Sequence, residues 1–172
     1  NSGATLRWHT DGRLLLAEGD GTAVRWIDPA TGNAVANTFS YCVLPAPIPG
    51  TTDFLCGGGA GNIAYRIPAS SAVAPPPGSD FGENGRSVRR VGSDTGYVFG
   101  TDFRFIDGGY VTYMAQGDLM AATFDAKSGR IGPAVRMQQG VRRSAYYSAG
   151  AYAVSASGTL VYAEGPVQSM GL

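Results

Sequence analysis

The chain repeats one short pattern of residues, and this repetition limits the folds it can adopt more than any other feature. Residues 13–35 and 110–135 share one order: an apolar run, a Gly-containing turn, a β-rich run and a turn of the form Asp-x-x-x-Gly. The two turns begin at Asp28 and Asp125, 97 residues apart, which is about twice a period of 48. A period of about 40 to 50 residues is typical of propeller blades and related repeats.

Further copies of the pattern lie between and after these two. A Gly stands just before a β-rich run at Gly12, Gly109 and Gly158, with separations of 97 and 49 residues. The copy in the middle is longer because it contains a Pro-rich insertion, residues 72–86, and proline has no N–H to donate to a strand ladder. These spacings indicate one structural unit that is used about three and a half times.

The composition of one unit indicates its secondary structure. Val, Ile, Tyr, Thr and Trp fill the runs between the turns, and these residues suit a pleated, half-buried surface. In the Asp-x-x-x-Gly turn we expect the Asp side chain to cap nearby backbone amides while Gly closes the reversal. No window has sustained apolar spacing of three and four residues, so essentially no helix is expected. The sequence therefore predicts an all-β fold, a β-propeller with three or four short antiparallel strands in each blade.

The whole chain, residues 1–172, is predicted to be a single propeller-type domain. The predicted blades cover residues 4–38, 39–94, 97–139 and 145–172. Four blades of about 43 residues would just fit a small closed ring, but the repeat spacing near 48 favours a partial ring or a fragment. An unclosed ring exposes an edge strand at each end.

Four stretches carry a resemblance to a known family. Residues 7–16 and 26–32 resemble the WD40-like repeat of TolB-type bacterial β-propellers. Residues 109–125 and 152–162 are similar to one branch, the propeller found C-terminal to bacterial eukaryote-like Ser/Thr kinases, outside the membrane. The resemblance implies an extracytoplasmic location, periplasmic or in the cell envelope. Family rings have about six blades, so it also implies a fragment or a ring that another chain completes.

Cys42 and Cys56 are the only cysteines and are equidistant from Pro49, in the middle of a predicted hairpin loop. If residues 41–44 pair antiparallel with residues 53–56, the two cysteines lie opposite each other at a separation near that of a disulfide. Two reduced thiols, buried as small hydrophobes, are the alternative. The family's usual place outside the cytoplasm favours the bridge. Two Cys and one distant His do not make a four-ligand zinc site, and neither a metal nor a cofactor is predicted.

Arg142, Arg143, Tyr146 and Tyr147 form the densest cluster of Arg and aromatic residues in the chain. Arg and Tyr are enriched among the anchors of protein interfaces, so this cluster is a candidate partner-contact patch. A solvated loop whose aromatic residues pack into the core is the alternative.

No catalytic constellation is found in the sequence. His9 is the only histidine, and no Ser stands in a Gly-x-Ser-x-Gly setting, so a Ser-His-Asp site is nearly excluded. Asp102 and Asp107 could lie close together in space as a carboxylate pair for acid–base chemistry. Acidic residues are common in blade turns, however, so their presence does not predict a catalytic site. Trp8 and Trp26 are expected to pack between blades; the alternative is a small-ligand site at the ring axis.

Charge and hydropathy narrow the class of function. The 13 basic and 13 acidic residues argue against nucleic-acid binding, and no apolar run approaches the roughly 18 residues of a membrane span. The sequence predicts a noncatalytic extracytoplasmic propeller that binds protein partners as an interaction, scaffold or sensor module. It would belong to a membrane-associated kinase or serve as an accessory subunit of an envelope complex. The alternatives are the gating propeller of a hydrolase such as a serine peptidase, or a propeller that binds a small ligand or glycan.

Overall fold

The fold is all-β. The computed structural model describes residues 5–9, 12–17, 24–39, 42, 44–57, 64–67, 89–93, 96–144, 149–155 and 157–166. Across these residues strands are joined by turns without any helix, which confirms the predicted all-β class. In this part of the chain there is accordingly no helix of the length and hydropathy that a membrane span requires. The predicted Pro-rich insertion at residues 72–86 lies outside it.

The first two sheets are four-stranded antiparallel meanders that follow each other along the chain. Unit 1 consists of β1 (Thr5–Trp8), β2 (Leu14–Ala17), β3 (Val24–Ile27) and β4 (Ala34–Phe39). Unit 2 consists of β5 (Ala46–Pro47), β6 (Phe54–Gly57), β7 (Ala64–Ile67) and β8 (Arg89–Arg90). In both units the first and last strands are therefore the sheet edges.

A third meander and a smaller fourth sheet complete the described chain. The short strands β9 (Gly92–Ser93) and β10 (Gly96–Tyr97) come before unit 3. Unit 3 consists of β11 (Thr101–Ile106), β12 (Tyr110–Ala115), β13 (Asp118–Asp125) and β15 (Val135–Gln138), with β14 (Arg130–Ile131) joining β13 to β9. Unit 4 consists of β16 (Tyr152–Val154) and β17 (Leu160–Tyr162), with bridges from Val141 to Glu164 and from Arg143 to Gly150.

The first strand of unit 2 differs from the sequence-based expectation. β6 pairs with β5 in a register that aligns Ala46 with Leu55 and Pro47 with Phe54, whereas the predicted partner was residues 41–44. Proline is tolerated in β5 because an edge strand can lack a donor on its outer side. The predicted hairpin is therefore wrong in its first strand.

The two Asp-x-x-x-Gly turns form as predicted. In each turn the Asp carboxylate accepts a hydrogen bond of 2.8 Å from the backbone N–H two residues later. Gly32 and Gly129 have φ values of 72° and 70°, and each donates its N–H to the carbonyl of the turn's first residue, Asp28 or Asp125. The local chemistry of one short motif thus produces the same reversal after β3 and after β13.

The core between units 1 and 2 is built from alternate residues of facing strands. Leu15 and Ala17 of β2 are fully buried, whereas the residue between them is only partly buried, as the alternating faces of a strand require. Trp26 packs edge-on against Phe54, with ring centroids 6.2 Å apart. Unit 1 thus buries one of its faces against unit 2.

Two further cores continue this arrangement. The core between units 2 and 3 includes Ile48, Leu55, Phe103, Val111 and Phe124. The core between units 3 and 4 is formed by Met114, Leu119, Val141 and Tyr152. The units are therefore stacked sheet against sheet in chain order, with one core between each neighbouring pair.

The first strands of the units lie on the same side of this stack. β1 contacts β5, and β5 contacts β11. Arg7 of β1 reaches across to Asp102 of β11, with Nη2 and Oδ1 3.6 Å apart. The first strands of units 1, 2 and 3 consequently come together.

Candidate functional site

A buried polar cluster forms where β11 meets β1 and β16. Asp102, the second residue of β11, is fully buried and has φ +50°, a left-handed conformation that Asp adopts more readily than most residues. The pairing of β11 with β12 is irregular between Thr101 and Arg104, as in a β-bulge. Since bulges re-aim side chains, this irregularity explains how the Asp102 carboxylate reaches units 1 and 4.

Three residues surround the Asp102 carboxylate. Arg104 contacts it with two nitrogens, Nη2 at 2.7 Å from Oδ2 and Nε at 3.2 Å from Oδ1. Gly150 donates its N–H to Oδ2 at 2.9 Å, and Arg7 lies beside Oδ1. Burial would lower the pKa of Arg104, but the hydrogen bond and charge of Asp102 raise it overall, so the guanidinium stays charged. One buried carboxylate thus links units 1, 3 and 4.

Tyr152 completes the cluster from unit 4. Its hydroxyl donates to the carbonyl of Asp102 at 2.7 Å and lies 3.3 Å from the hydroxyl of Thr112. The guanidinium of Arg104 lies 4.0 Å from the centre of the Tyr152 ring and also donates to its carbonyl. Burial, and then the charge of Asp102, raises the pKa of Tyr152 far above its usual value, so the phenol is neutral and acts as a donor.

The contacts of this cluster suit a structural role, in which Asp102 holds units 1, 3 and 4 together. Both carboxylate oxygens of Asp102 already face N–H donors, so neither is presented to a substrate as a base or nucleophile. Asp107 is exposed in the turn at the far end of β11, so the two acids considered as a pair in the sequence do not meet. Sequence reasoning missed Arg7, Arg104 and Tyr152, since residues so distant in the chain give no spacing signal.

The structure joins Cys42 and Cys56 by a disulfide whose Cα atoms are 5.6 Å apart. Both cysteines are buried in the core between units 1 and 2. If the β5–β6 register is extended by one residue, residue 45 lies opposite Cys56. Cys42 and Cys56 are therefore not the directly opposed pair that the predicted hairpin required. The bond instead ties the segment before β5 to the second strand of unit 2.

The predicted contact patch is described only in part. The backbone of Arg142 forms two hydrogen bonds, of 2.7 and 2.8 Å, with residues of unit 4, and its side chain is exposed. Arg143 is partly buried and bridges to Gly150. Tyr146 and Tyr147 lie outside the described residues, so the patch stays a prediction.

The outer face of unit 1, which is turned away from unit 2, is mostly apolar. The strand register places five apolar side chains next to one another on this face: Leu6, Trp8, Leu14, Leu16 and Ile27. Arg25 lies among them, opposite Leu16. Leu6 and Trp8 are 52% and 65% exposed. Trp26, on the opposite face, is fully buried and edge-on to His9. The expectation that both tryptophans pack between units is therefore right for Trp26 and wrong for Trp8.

A second apolar surface is a cleft of about 500 Å³ between units 3 and 4. It is lined by strands β12, β13 and β15 on one side and by β16 and β17 on the other, including Leu119, Ala121, Val135, Met137, Val154 and Leu160. Every described lining residue is uncharged. The cleft extends the buried core between the same two units, because Leu119 belongs to both.

Within the described residues, no three His, Cys, Asp or Glu side chains are grouped so as to hold a metal ion. Comparison with models of known protein families gives no match, and a search of curated proteins finds no similar sequence. The resemblance to TolB-type propellers accordingly stays a prediction from the residues that carry it.

Proposed function

We propose that this chain is a noncatalytic β-propeller module of the TolB/WD40-like type, with units 1 to 4 as its blades. It acts outside the cytoplasm as a protein-interaction, scaffold or sensor module. Its setting is a membrane-associated kinase or a larger envelope complex in which it is an accessory subunit. The observation that carries this proposal is the mostly apolar outer face of unit 1, with exposed Trp8 on it.

The arrangement of the units supports a propeller. Propeller blades are four-stranded sheets placed radially around an axis, with sheet faces packed against each other. Units 1 to 3 are such meanders, they pack face to face in chain order, and their first strands come together. The contact between Arg7 and Asp102 joins the first strands of units 1 and 3, which is expected of strands that line a narrow axis.

The outer face of unit 1 supports protein binding. Units 2 and 3 each bury both faces against neighbouring units, whereas unit 1 buries only one among the residues that the structure describes. A contiguous exposed apolar surface marks a protein–protein contact, and Trp is the residue most enriched among the anchors of such contacts. Trp8 is 65% exposed on this surface and is therefore the expected anchor.

Two further observations support the location and the lack of catalysis. A disulfide between Cys42 and Cys56 is typical of proteins in oxidising compartments such as the periplasm. The buried carboxylate of Asp102 is held by two arginines and a backbone N–H, an arrangement that stabilises the packing of the units.

The test compares the wild-type protein with Trp8→Arg and with Phe99→Arg, a matched control because Phe99 is 56% exposed and lies outside unit 1. The wild-type chain is used to capture proteins from an envelope fraction. Each captured protein is identified and purified, and its binding to the wild type and to both variants is measured by titration. We expect one partner that binds the wild type and Phe99→Arg equally and binds Trp8→Arg at least tenfold more weakly. The proposal is wrong if no purified partner shows this dependence on Trp8, or if the chain alone turns over peptide or glycan substrates.

A further inference from the structure

The polar cluster around Asp102 contains more positive than negative charge. Arg7 and Arg104 both lie beside the one carboxylate of Asp102. Arg104 binds both oxygens of this carboxylate, and the N–H of Gly150 binds Oδ2 as well. Arg7 approaches only Oδ1, at 3.6 Å, which is too long for a hydrogen bond. Arg104 therefore balances the charge of Asp102, and the charge of Arg7 is in excess.

The side chain of Arg7 has donors to spare. A guanidinium is always charged and carries five N–H groups in a planar fork. Within the described residues, the ion pair with Asp102 is the one polar contact that this side chain makes. The side chains of Arg7 and Arg104 are 34% and 28% exposed, so both guanidiniums reach solvent. Since Nη2 of Arg7 and Nε of Arg104 lie within 3.6 Å of the same oxygen, the two cations are neighbours.

We propose that a carboxylate or phosphate group of a ligand binds beside Arg7 and Arg104, on the solvent side of the cluster. Two oxygens of such a group match the parallel N–H donors of a guanidinium. The bound anion reduces the repulsion between the two guanidiniums, and its attraction to them is stronger next to a buried cluster than in water. The net charge of the protein contributes little, because its 13 basic and 13 acidic residues cancel.

This anion site is separate from the surface that carries the proposed function. Arg7 and Trp8 are successive residues of β1, so their side chains lie on opposite faces of the sheet. Trp8 lies on the outer face of unit 1, whereas Arg7 is directed toward Asp102 of unit 3. The inference therefore goes beyond the proposed function, and each of the two can fail without the other.

The experiment titrates the full chain with three probes at constant ionic strength: succinate, inorganic phosphate and an end-blocked Gly-Glu-Gly peptide. Binding is followed by NMR through the Nε–H signals of the arginine side chains. We expect saturable shifts of the Arg7 and Arg104 signals with at least one probe. Tighter binding of succinate or phosphate indicates a free small anion as the ligand. Tighter binding of the peptide indicates an acidic side chain of a protein partner.

Arg7→Gln and Arg136→Gln form a matched pair of variants, because each arginine forms an ion pair with one aspartate, Asp102 or Asp118. We expect Arg7→Gln to weaken binding at least tenfold, since a charged donor is lost, and Arg136→Gln to change it less than twofold. Arg7→Lys keeps the charge but not the planar fork, so its binding should fall between the two. Urea denaturation checks that each variant is folded, and Arg7→Lys replaces Arg7→Gln if the latter is not.

Three results would overturn the inference: no saturable shift with any of the three probes, equal weakening by Arg7→Gln and Arg136→Gln, or unchanged binding to a folded Arg7 variant. Equal weakening would mean that the anions respond to surface charge in general. Failure here with a partner that depends on Trp8 leaves the proposed function intact. Anion binding at Arg7 without any such partner contradicts the proposed function and not this site.

Discussion

Replacing Asp102 by Asn tests the polar cluster that joins units 1, 3 and 4. The substitution keeps the side-chain size and the tolerance for the left-handed backbone at φ +50°, but it removes the charge. Breaking a fully buried ion pair costs about 3 to 5 kcal/mol. The side chains of Arg104 and Arg7 are 28% and 34% exposed, so water partly replaces the lost partner. We therefore expect a loss of about 2 to 3 kcal/mol in the free energy of unfolding.

Urea denaturation followed by tryptophan fluorescence measures this loss from the transition midpoint and slope, since Trp26 is fully buried in the folded state and becomes exposed on unfolding. The matched control is Asp118→Asn, because Asp118 pairs with Arg136 at 3.1 Å on the surface, where Arg136 is 58% exposed. Exposed pairs contribute below about 1 kcal/mol. Buried and exposed ion pairs should differ several-fold in their contribution to stability. The expectation is refuted if the free energy of unfolding of Asp102→Asn lies within about 0.5 kcal/mol of the wild-type value, or if Asp102→Asn and Asp118→Asn lose the same amount.

Three other predictions concern single contacts. Tyr152→Phe removes a 2.7 Å hydrogen bond to the backbone of β11 and should cost about 1 to 2 kcal/mol in urea denaturation; no change would contradict the bond. Reduction of Cys42–Cys56, which are 14 residues apart, should lower the free energy of unfolding by about 3 kcal/mol, and alkylation before reduction should label neither thiol. The hydrogen bond from the Ser128 hydroxyl, and then those from backbone N–H groups, lower the pKa of Asp125, so by NMR its carboxylate should titrate at a lower pH than an ordinary aspartate. Its contribution to stability is present above the unfolded pKa and is lost as pH falls through the folded pKa; a normal titration would contradict this.

The features that the sequence predicts correctly depend on local chemistry. The turns at Asp28 and Asp125 form because one Asp side chain and one Gly are enough to close each reversal. The all-β class follows from residue types and spacing alone. The strand at residues 46–47 was missed because Pro47 and the nearby Pro45 and Pro49 indicate a loop, and only the whole sheet shows that it is an edge where a missing donor is tolerated.

The features that the sequence does not predict depend on contacts between units. Asp102 becomes the centre of a polar cluster only because a bulge and a positive φ aim it at Arg7 and Gly150, and neither is encoded in a nearby motif. Trp8 and Trp26 are alike as residues, yet one is exposed and the other is buried. The difference arises because unit 2 covers only one face of unit 1.

The stacking of successive sheets in chain order is the claim on which the other inferences depend, and nuclear Overhauser effects between units test it most directly. We expect effects from Trp26 to Phe54, from Gly57 to the ring of Phe103, and from Met114 to Gly150, one for each pair of neighbouring units. Absence of these three effects in an assigned spectrum, with the same side chains contacting other partners, would contradict it.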